Sequence, residues 1–408
     1  MRVLTRAALL SPILALVLAG LTAPIGWPPA GLADAQERVV KIAGVGAMSG
    51  VIRGFGINSK AVLDMVTDEI NQAGGIKLAD GTRAKIVTTF ADERCNAEEG
   101  ISVVRKLASE DWLVAIGPTC SNVAEPLFGI LQRKAGDAGD SGLQFPIFSD
   151  TAIKPGLAKI SEWSFRNVPH EPTMYNHLFK WLKEKHPDVK TVYGGVESDF
   201  AHSNANWGVM EAAAKGAGFE VLGAEKWLLN DTEFSTQVGK WRRAKPDLIA
   251  ISSHPFTLCG TLREMKRQGV KPKLMVGLTS SATLETMAGC GPEAEGLIIP
   301  TGFAPVTPEA SRVAKVVAEK YKGNVDLHSA AVYENMHILK QVIETSGVEA
   351  KPSTVAQDRR RIREGLARVK EFQGLLGKVT RLEDRESQKP YVFAVAKTSD
   401  WAVLFDPR

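Results

Sequence analysis

Residues 39–45 read VVKIAGV, a short apolar run of the kind that forms a buried β-strand. Residues 57–72 follow and carry an apolar stripe at helical spacing, which Gly74 and Gly75 end. The stripe consists of Ala61, Val62, Met65, Val66 and Ile70. A strand followed by an amphipathic helix predicts the unit from which parallel α/β sheets are built.

The same alternation of strand and helix continues along the chain in two sets. The first set has predicted strands at 84–90, 113–116 and 145–149, with helices at 97–109 and after Asn122. The second set, beginning near Val168, has predicted strands at 191–196, 219–226, 247–252, 273–277 and 296–300, and helices at 175–185, 205–215, 234–243 and 257–268. This order predicts an α/β protein with two Rossmann-like lobes, each built on a parallel sheet with helices on both faces.

The last part of the chain is rich in helices. They are predicted at 308–322, 330–346 and 355–370, before two closing strands at 377–382 and 390–395. Because the first set has few helices for two sheet faces, we expect the chain to return to lobe one. Lobe one is therefore predicted to comprise 36–168 plus 301–376, and lobe two 169–300 plus 377–408.

The first 35 residues have the features of a secretory signal peptide. Arg2 and Arg6 precede an apolar run over residues 7–20, and an Ala-Asp-Ala cleavage site ends at Ala35. The run is too short to span a bilayer comfortably, although an uncleaved anchor is the alternative interpretation. We therefore expect a soluble, exported, periplasmic chain that begins at Gln36.

Composition excludes several classes of protein. With 44% hydrophobic and 24% charged residues, the 408-residue chain lies within the ordinary globular range. Its 50 Lys+Arg and 46 Asp+Glu are spread evenly, so no basic face for nucleic acid is indicated. The glycines at 44 and 46 lack the third glycine of a dinucleotide fingerprint, and no G-x-S-x-G, H-E-x-x-H or C-x-x-C motif is present. We therefore expect neither an enzyme nor a cofactor or metal site.

The four cysteines can pair in three ways in an oxidising compartment. Cys95 and Cys120 both follow predicted strands in the first half of the chain, which makes them the preferred pair. Cys259 and Cys290 are a second candidate pair, with two buried free thiols as the alternative.

Ligands of open parallel sheets bind beyond the carboxyl ends of the strands. Three loops at such ends carry small polar residues: 46–50, 117–122 and 149–152. Ser121 or Asn122 can cap the helix that follows the second loop, which leaves N–H groups to hold a carboxylate, although capping alone is an equal alternative. Together the loops predict a site for a small polar solute in one crevice.

Several segments also carry the resemblance to a known family. They are 40–43 with the loop 46–50 (GAMSG), 70–76 (INQAGGI), 92–95, 116–121 with Pro126, 231–235 (DTEFS) and 262–269. In these segments the chain resembles the periplasmic solute-binding proteins of ABC importers, of the leucine/isoleucine/valine-binding type. That resemblance implies a type I periplasmic binding protein fold with three crossovers and a first-lobe disulfide matching Cys95 with Cys120.

The resemblance also implies partners. Such a protein closes on a small-molecule ligand and delivers it to the permease subunits of an ABC transporter, and we expect it to act as a monomer. A binding protein that reports its ligand to a membrane receptor has the same fold and is the alternative function.

Individual roles follow from the resemblance as well. Ser121 falls where a serine contacts the α-carboxylate of an amino acid, and Asp150 and Thr151 fall near the loop that holds carboxylate and ammonium. His202 takes the place of an aromatic residue. The family's ammonium-binding glutamate aligns close to Thr257, and a threonine cannot neutralise a buried cation.

We therefore expect a small polar acid, amide or aromatic acid whose anionic or carbonyl end is gripped by hydroxyl and amide groups. Asp150 would otherwise have to take over the ammonium from the opposite lobe. Phe55, His202 and Phe256 would line the body of the ligand, with ordinary core packing as the alternative for each. The candidate ligand-binding residues are Ser49, Phe55, Ser121, Asn122, Asp150, Thr151, His202, Phe256 and Thr257.

Overall fold

A six-stranded sheet forms the centre of lobe one in the computed structural model, which describes residues 38–383 and 385–408. Its strands are β1 (Val39–Gly46), β2 (Ile76–Lys77), β3 (Arg83–Asp92), β4 (Val114–Ile116), β5 (Ile147–Ser149) and β6 (Ser164–Arg166), in the order β2-β3-β1-β4-β5-β6. Helices α1 (Arg53–Gln72), α2 (Ala97–Ser109) and α3 (Ser121–Gly129) connect them. All pairs are parallel except β2 with β3. The predicted signal peptide lies outside the described residues.

A second parallel sheet forms lobe two. Its elements are α4 (Glu171–Lys185), β7 (Thr191–Glu197), α5 (Ala201–Gly216), β8 (Glu220–Trp227), α6 (Ser235–Ala244), β9 (Leu248–Ser252), α7 (Pro255–Gln268), β10 (Leu274–Gly277), α8 (Leu284–Cys290) and β11 (Leu297–Thr301). Strands β8, β7, β9, β10 and β11 pair in parallel in that order. The fully buried strand β9 (LIAIS) shows why these strands read as continuous apolar runs: helices cover both faces of the sheet.

Three further helices return to lobe one: α9 (Pro308–Val316), α10 (Leu327–Thr345) and α11 (Val355–Arg368). One buried apolar core contains Val313, Leu339 and Ile362 from these helices together with Ile42 of β1 and Val62 of α1. The helices that the first set of elements lacks therefore come from the end of the chain.

The closing strands are divided between two sheets. They are β12 (Glu371–Gly374), β13 (Gly377–Arg381), β14 (Ser387–Gln388), β15 (Val392–Lys397) and β16 (Asp400–Phe405). Strand β15 pairs antiparallel with β11, and β16 pairs with β15. Strand β13, in contrast, pairs with β12 and β14 in a separate antiparallel sheet, because a two-residue turn at Leu375 and Leu376 folds it back on β12. The predicted start of the last lobe-two segment at residue 377 is therefore too early: the strands of that segment that join the lobe-two sheet begin with β15.

The chain passes between the lobes three times: between β6 and α4, between β11 and α9, and between β14 and β15. Buried ion pairs join these passages. Arg166 contacts Glu386 at 2.5 Å, and Lys389 contacts Glu334 at 2.5 Å. Asn167 donates to the same Glu334 at 2.8 Å. The predicted α/β fold, with its two parallel sheets and three crossovers, is confirmed.

Two disulfides are present, Cys95–Cys120 and Cys259–Cys290. The first links the loop after β3 to the loop before α3, and the second links α7 to α8. Both predicted pairs therefore form. None of the helices described between 38 and 408 is both long and apolar enough to cross a membrane.

Candidate functional site

A small cavity lies between the carboxyl ends of the two parallel sheets. About 230 Å³ of space between its walls is free of atoms, and part of this space is open to solvent. Lobe one lines it with Ile52, Phe55, Thr119, Ser121, Thr151 and His328, and lobe two lines it with Phe200, His202, His254 and Ser280.

Hydroxyl groups form the lobe-one wall. Ser121 is the first residue of α3, and its Oγ accepts the backbone N–H of Lys154 at 3.2 Å. Thr119 Oγ1 accepts the backbone N–H of Ala47 at 3.0 Å. The N-cap residue of α3, Cys120, provides no side-chain cap. The helix end and the two hydroxyls together present an electropositive surface to an anion.

Two buried carboxyl groups lie behind this wall. Glu93 accepts the backbone N–H of Cys120 at 2.8 Å, and burial raises the pKa of Glu93 to about 8. Asp150 accepts the hydroxyls of Thr151 at 2.6 Å and Ser59 at 2.8 Å, and burial raises the pKa of Asp150 to about 6. Neither carboxyl group lines the cavity. The wall therefore offers hydroxyls to the ligand while its acidic groups face inward.

Two carboxylate–imidazole pairs form the lobe-two wall. His202 Nε2 lies 2.9 Å from Glu171 Oε1, and His254 Nδ1 lies 2.6 Å from Glu197 Oε2. Glu197 also accepts the hydroxyl of Thr257 and the backbone N–H of His254. The carboxylates hold the rings in fixed orientation, so both histidines present a defined edge to the cavity.

His328 and Phe55 complete the enclosure from lobe one. His328 Nε2 lies 3.2 Å from Ser280 Oγ, which belongs to lobe two. The Phe55 ring packs edge-on against His328 at 4.9 Å and against His254 at 6.1 Å. Burial holds the pKa of His328 well below its usual range, which favours the neutral ring.

The two lobes also touch beside the cavity. Asn122 Oδ1 accepts the backbone N–H of Ala201 at 2.7 Å, and its Nδ2 donates to the carbonyl of Asp199 at 3.3 Å. Elsewhere, Asn58 Nδ2 donates to Glu285 Oε1 at 3.0 Å. The structure therefore represents a closed arrangement of the lobes.

The structure brings four of the nine candidate residues to the cavity: Phe55, Ser121, Thr151 and His202. Asp150 lies behind Thr151, and Asn122 joins the lobes outside the cavity.

Three other candidates lie away from the cavity. Ser49 is exposed and hydrogen-bonds to Asp92, which its loop position after β1 allows. Phe256 is 41% exposed because it lies in the first turn of α7 on the outer side. Thr257 is fully buried and donates to Glu197 instead of facing the ligand.

Six lining residues are absent from the predicted set: Ile52, Thr119, Phe200, His254, Ser280 and His328. Phe200 and His254 follow β7 and β9 directly, so the strand-end rule that selected Ser121 could also have selected them. His328 follows the return of the chain to lobe one, and its position depends on long-range packing that no local pattern reports.

The histidines do not form a metal site. Among the residues described, no three His, Cys, Asp or Glu side chains are placed to hold a metal ion together.

Known proteins are similar to this chain in sequence and in fold. The sequence profile of the family described as periplasmic binding protein matches residues 39–400. The leucine-, isoleucine-, valine-, threonine- and alanine-binding protein of Pseudomonas aeruginosa is 22% identical over 329 residues, which cover 78% of this chain and 81% of that protein.

Two solved structures show the likeness of fold. A leucine-binding protein from Thermotoga maritima has a TM-score of 0.77 at 18% identity, covering 90% of this chain and 99% of its own. A solute-binding protein of an ABC transporter from Rhodopseudomonas palustris, solved with benzoate, has a TM-score of 0.75 at 14% identity, covering 90% and 96%. The chain therefore belongs to the periplasmic binding protein family, with the type I fold of the leucine/isoleucine/valine-binding proteins, and is a solute-binding protein and not an enzyme.

Proposed function

We propose that the chain is the extracytoplasmic solute-binding component of an ABC importer and that its solute is a small carboxylic acid without an ammonium group. Export to the periplasm and delivery to the permease subunits belong to the same proposal. The predicted signal peptide and the family membership support this location and role.

The character of the cavity wall carries the proposal. Its lobe-one side offers Thr119 and Ser121 at the N-terminus of α3 and Thr151 after β5, which suits a carboxylate. Among the described lining residues there is no Asp, Glu, Lys or Arg. A buried ammonium would lack an ionised partner there, at a cost of several kcal/mol.

The named ligands of similar proteins fit this chemistry in part. Leucine and benzoate, which appear in the names of two structural neighbours, both carry a carboxylate, but only leucine carries an ammonium group. The aromatic edges of Phe55 and Phe200 favour a flat or compact apolar body between the walls.

Closure of the lobes follows from contacts made by both walls. Ser121 and Thr151 belong to lobe one, whereas His202 and His254 belong to lobe two. A solute that touches both sets stabilises the closed form relative to the open form, and only this difference in contact shifts the equilibrium.

The proposal is tested by thermal unfolding of the purified chain with small aliphatic and aromatic carboxylic acids, their primary amides and amino acids. A true ligand at a hundredfold excess over Kd stabilises the folded chain by about 2.7 kcal/mol. We expect acids to raise the melting temperature more than the matched amides do. Stabilisation by amino acids alone would contradict the proposal.

A further inference from the structure

His254 presents an unpartnered nitrogen to the cavity. The residue is only 3% exposed and lines the cavity at the start of α7. Its Nδ1 is occupied by Glu197 at 2.6 Å and lies 3.2 Å from Ser203 Oγ. Within residues 38–383 and 385–408, Nε2 has no hydrogen-bond partner. Because the residue is almost fully buried, a ligand in the cavity is the available partner for this nitrogen.

Glu197 fixes which ring nitrogen carries the proton. Burial raises the pKa of Glu197, but hydrogen bonds from the backbone N–H of His254 and from the hydroxyls of Thr257 and Ser203 stabilise its ionised form, and its pKa lies below the usual range. An ionised carboxylate accepts hydrogen bonds only, so the adjacent Nδ1 must carry hydrogen. In the neutral imidazole, Nε2 is then an acceptor.

Packing keeps the His254 ring in this orientation. The Phe200 ring lies 4.4 Å from it, Phe55 lies 6.1 Å away, and His202 lies 5.8 Å away. The two phenylalanines offer no hydrogen-bonding group. His202 is committed to Glu171 at Nε2, and its Nδ1 lies 3.5 Å from Ser280 Oγ.

We propose that the Glu197–His254 pair is the specificity element of the site and selects a carboxylic acid that also carries a hydroxyl group, whose O–H donates to His254 Nε2. This inference rests on the proposed carboxylate function, because Ser121 and Thr151 hold the acid at the opposite wall. A hydroxyl donates to Nε2 without bringing a charge into the cavity.

Calorimetric titration at pH 8, where imidazole is ordinarily neutral, tests the inference with acids that differ only in a hydroxyl. The probes are propionate with 2- and 3-hydroxypropionate, and benzoate with its three monohydroxy isomers. We expect at least one hydroxylated acid to bind about tenfold more tightly than its parent, as one hydrogen bond to a buried acceptor provides.

The Glu197→Gln variant reverses the preference. Its amide N–H₂ donates to Nδ1, so the proton moves to Nε2, which becomes a donor. In this variant the preferred hydroxy acid no longer binds tenfold more tightly than its parent acid. The affinity of its methoxy analogue, whose oxygen only accepts hydrogen bonds, rises relative to that of the hydroxy acid. Glu225→Gln is the matched control, because Glu225 is a buried lobe-two carboxylate that contacts Tyr193 and Lys240 away from the cavity.

Nitrogen NMR of the native chain provides a second measurement that needs no folded variant. The spectrum of His254 should show hydrogen on Nδ1 and none on Nε2 at pH 8. Three results would each overturn the inference while leaving carboxylate binding intact. The first is hydrogen on Nε2 of His254, and the second is equal affinity for every acid and its hydroxylated partner. The third is a preference for the hydroxy acid that survives in folded Glu197→Gln. Failure of all the acids to bind would overturn the proposed function with it.

Discussion

Asn122 of lobe one accepts the backbone N–H of Ala201 of lobe two at 2.7 Å, and so supplies a contact between the lobes that does not involve the ligand. Ala201 begins helix α5, whose N-cap residue Phe200 provides no side-chain cap. The amide of Asn122 therefore satisfies a helix N–H that only the closed arrangement can satisfy.

This relationship makes Asn122 a determinant of closure. We expect Asn122→Ala to weaken ligand binding about 5- to 10-fold, because it removes the equivalent of about 1 kcal/mol of contact from the closed form only. Calorimetry gives the affinity, and small-angle scattering gives the radius of gyration with and without ligand. Asn204→Ala, an exposed change on the partner helix α5, is the control. Unchanged affinity in Asn122→Ala would remove Asn122 from the closure mechanism.

The hydroxyl groups of Ser121 and Thr151 in the lobe-one wall lead to a separate prediction. Ser121→Ala and Thr151→Ala each remove a hydroxyl that lines the cavity, and each should weaken binding of a carboxylic acid about tenfold or more. Each variant also loses an internal hydrogen bond, with the Lys154 N–H or with Asp150, so the melting temperature should fall modestly while the fold is retained. Ser49→Ala and Phe256→Ala alter candidates that lie outside the cavity and should bind like the native chain. Equal affinity in all four variants would exclude these hydroxyls from the site.

The raised pKa of the buried Glu93 allows us to predict how the unfolding free energy depends on pH. Its pKa is about 8 in the folded chain and returns to near 4.5 on unfolding, so the folded state retains a proton that the unfolded chain has lost. Stability therefore falls as pH rises between these values, by about 1 kcal/mol per pH unit from this residue. Glu93→Gln resembles the protonated form of Glu93 at every pH. The stability of this variant should therefore fall less steeply as pH rises than the stability of the native chain. Denaturant unfolding from pH 5 to 9 measures it, with exposed Glu99→Gln as control. Parallel curves for Glu93→Gln and the native chain would contradict the assignment.

The buried pair at the crossovers gives a stability prediction. Lys389 and Glu334 are 5% exposed each and lie 2.5 Å apart. Lys389→Met leaves the Glu334 carboxylate buried without its cation and should cost about 3 kcal/mol of unfolding free energy. Lys266→Met removes the exposed partner of a surface pair and should cost under about 1 kcal/mol. A similar loss of unfolding free energy in both variants would show that burial of the Lys389–Glu334 pair does not increase its contribution to stability.

The sequence predicts the architecture well because alternation of apolar strands and amphipathic helices is a local signal. The run 39–45 and the stripe from Ala61 to Ile70 became β1 and α1, and both cysteine pairs formed. The short hairpin of β12 and β13 was assigned differently, because strand pairing in a small antiparallel sheet depends on a turn and not on periodicity.

The site was harder to predict from sequence. Position after a strand brought Ser121 and Thr151 to the cavity but could not distinguish them from Ser49, whose loop turns outward. Thr257 led to the expectation of a site lacking an acidic group. The structure contains such a group, Glu197, but the carboxylate contacts His254 and Thr257 and does not line the cavity. Such pairing across separate strands leaves no mark on local sequence.

The most direct test of the central claim is calorimetric titration with amino acids and the matched acids that lack only the ammonium group. The pairs are alanine with propionate, leucine with 4-methylpentanoate, and phenylglycine with phenylacetate. We predict that in each pair that binds, the plain acid binds on the order of 100-fold more tightly, because the described residues that line the cavity include no ionised partner for a buried ammonium. Micromolar binding of leucine, with weaker or no binding of 4-methylpentanoate, would contradict the account.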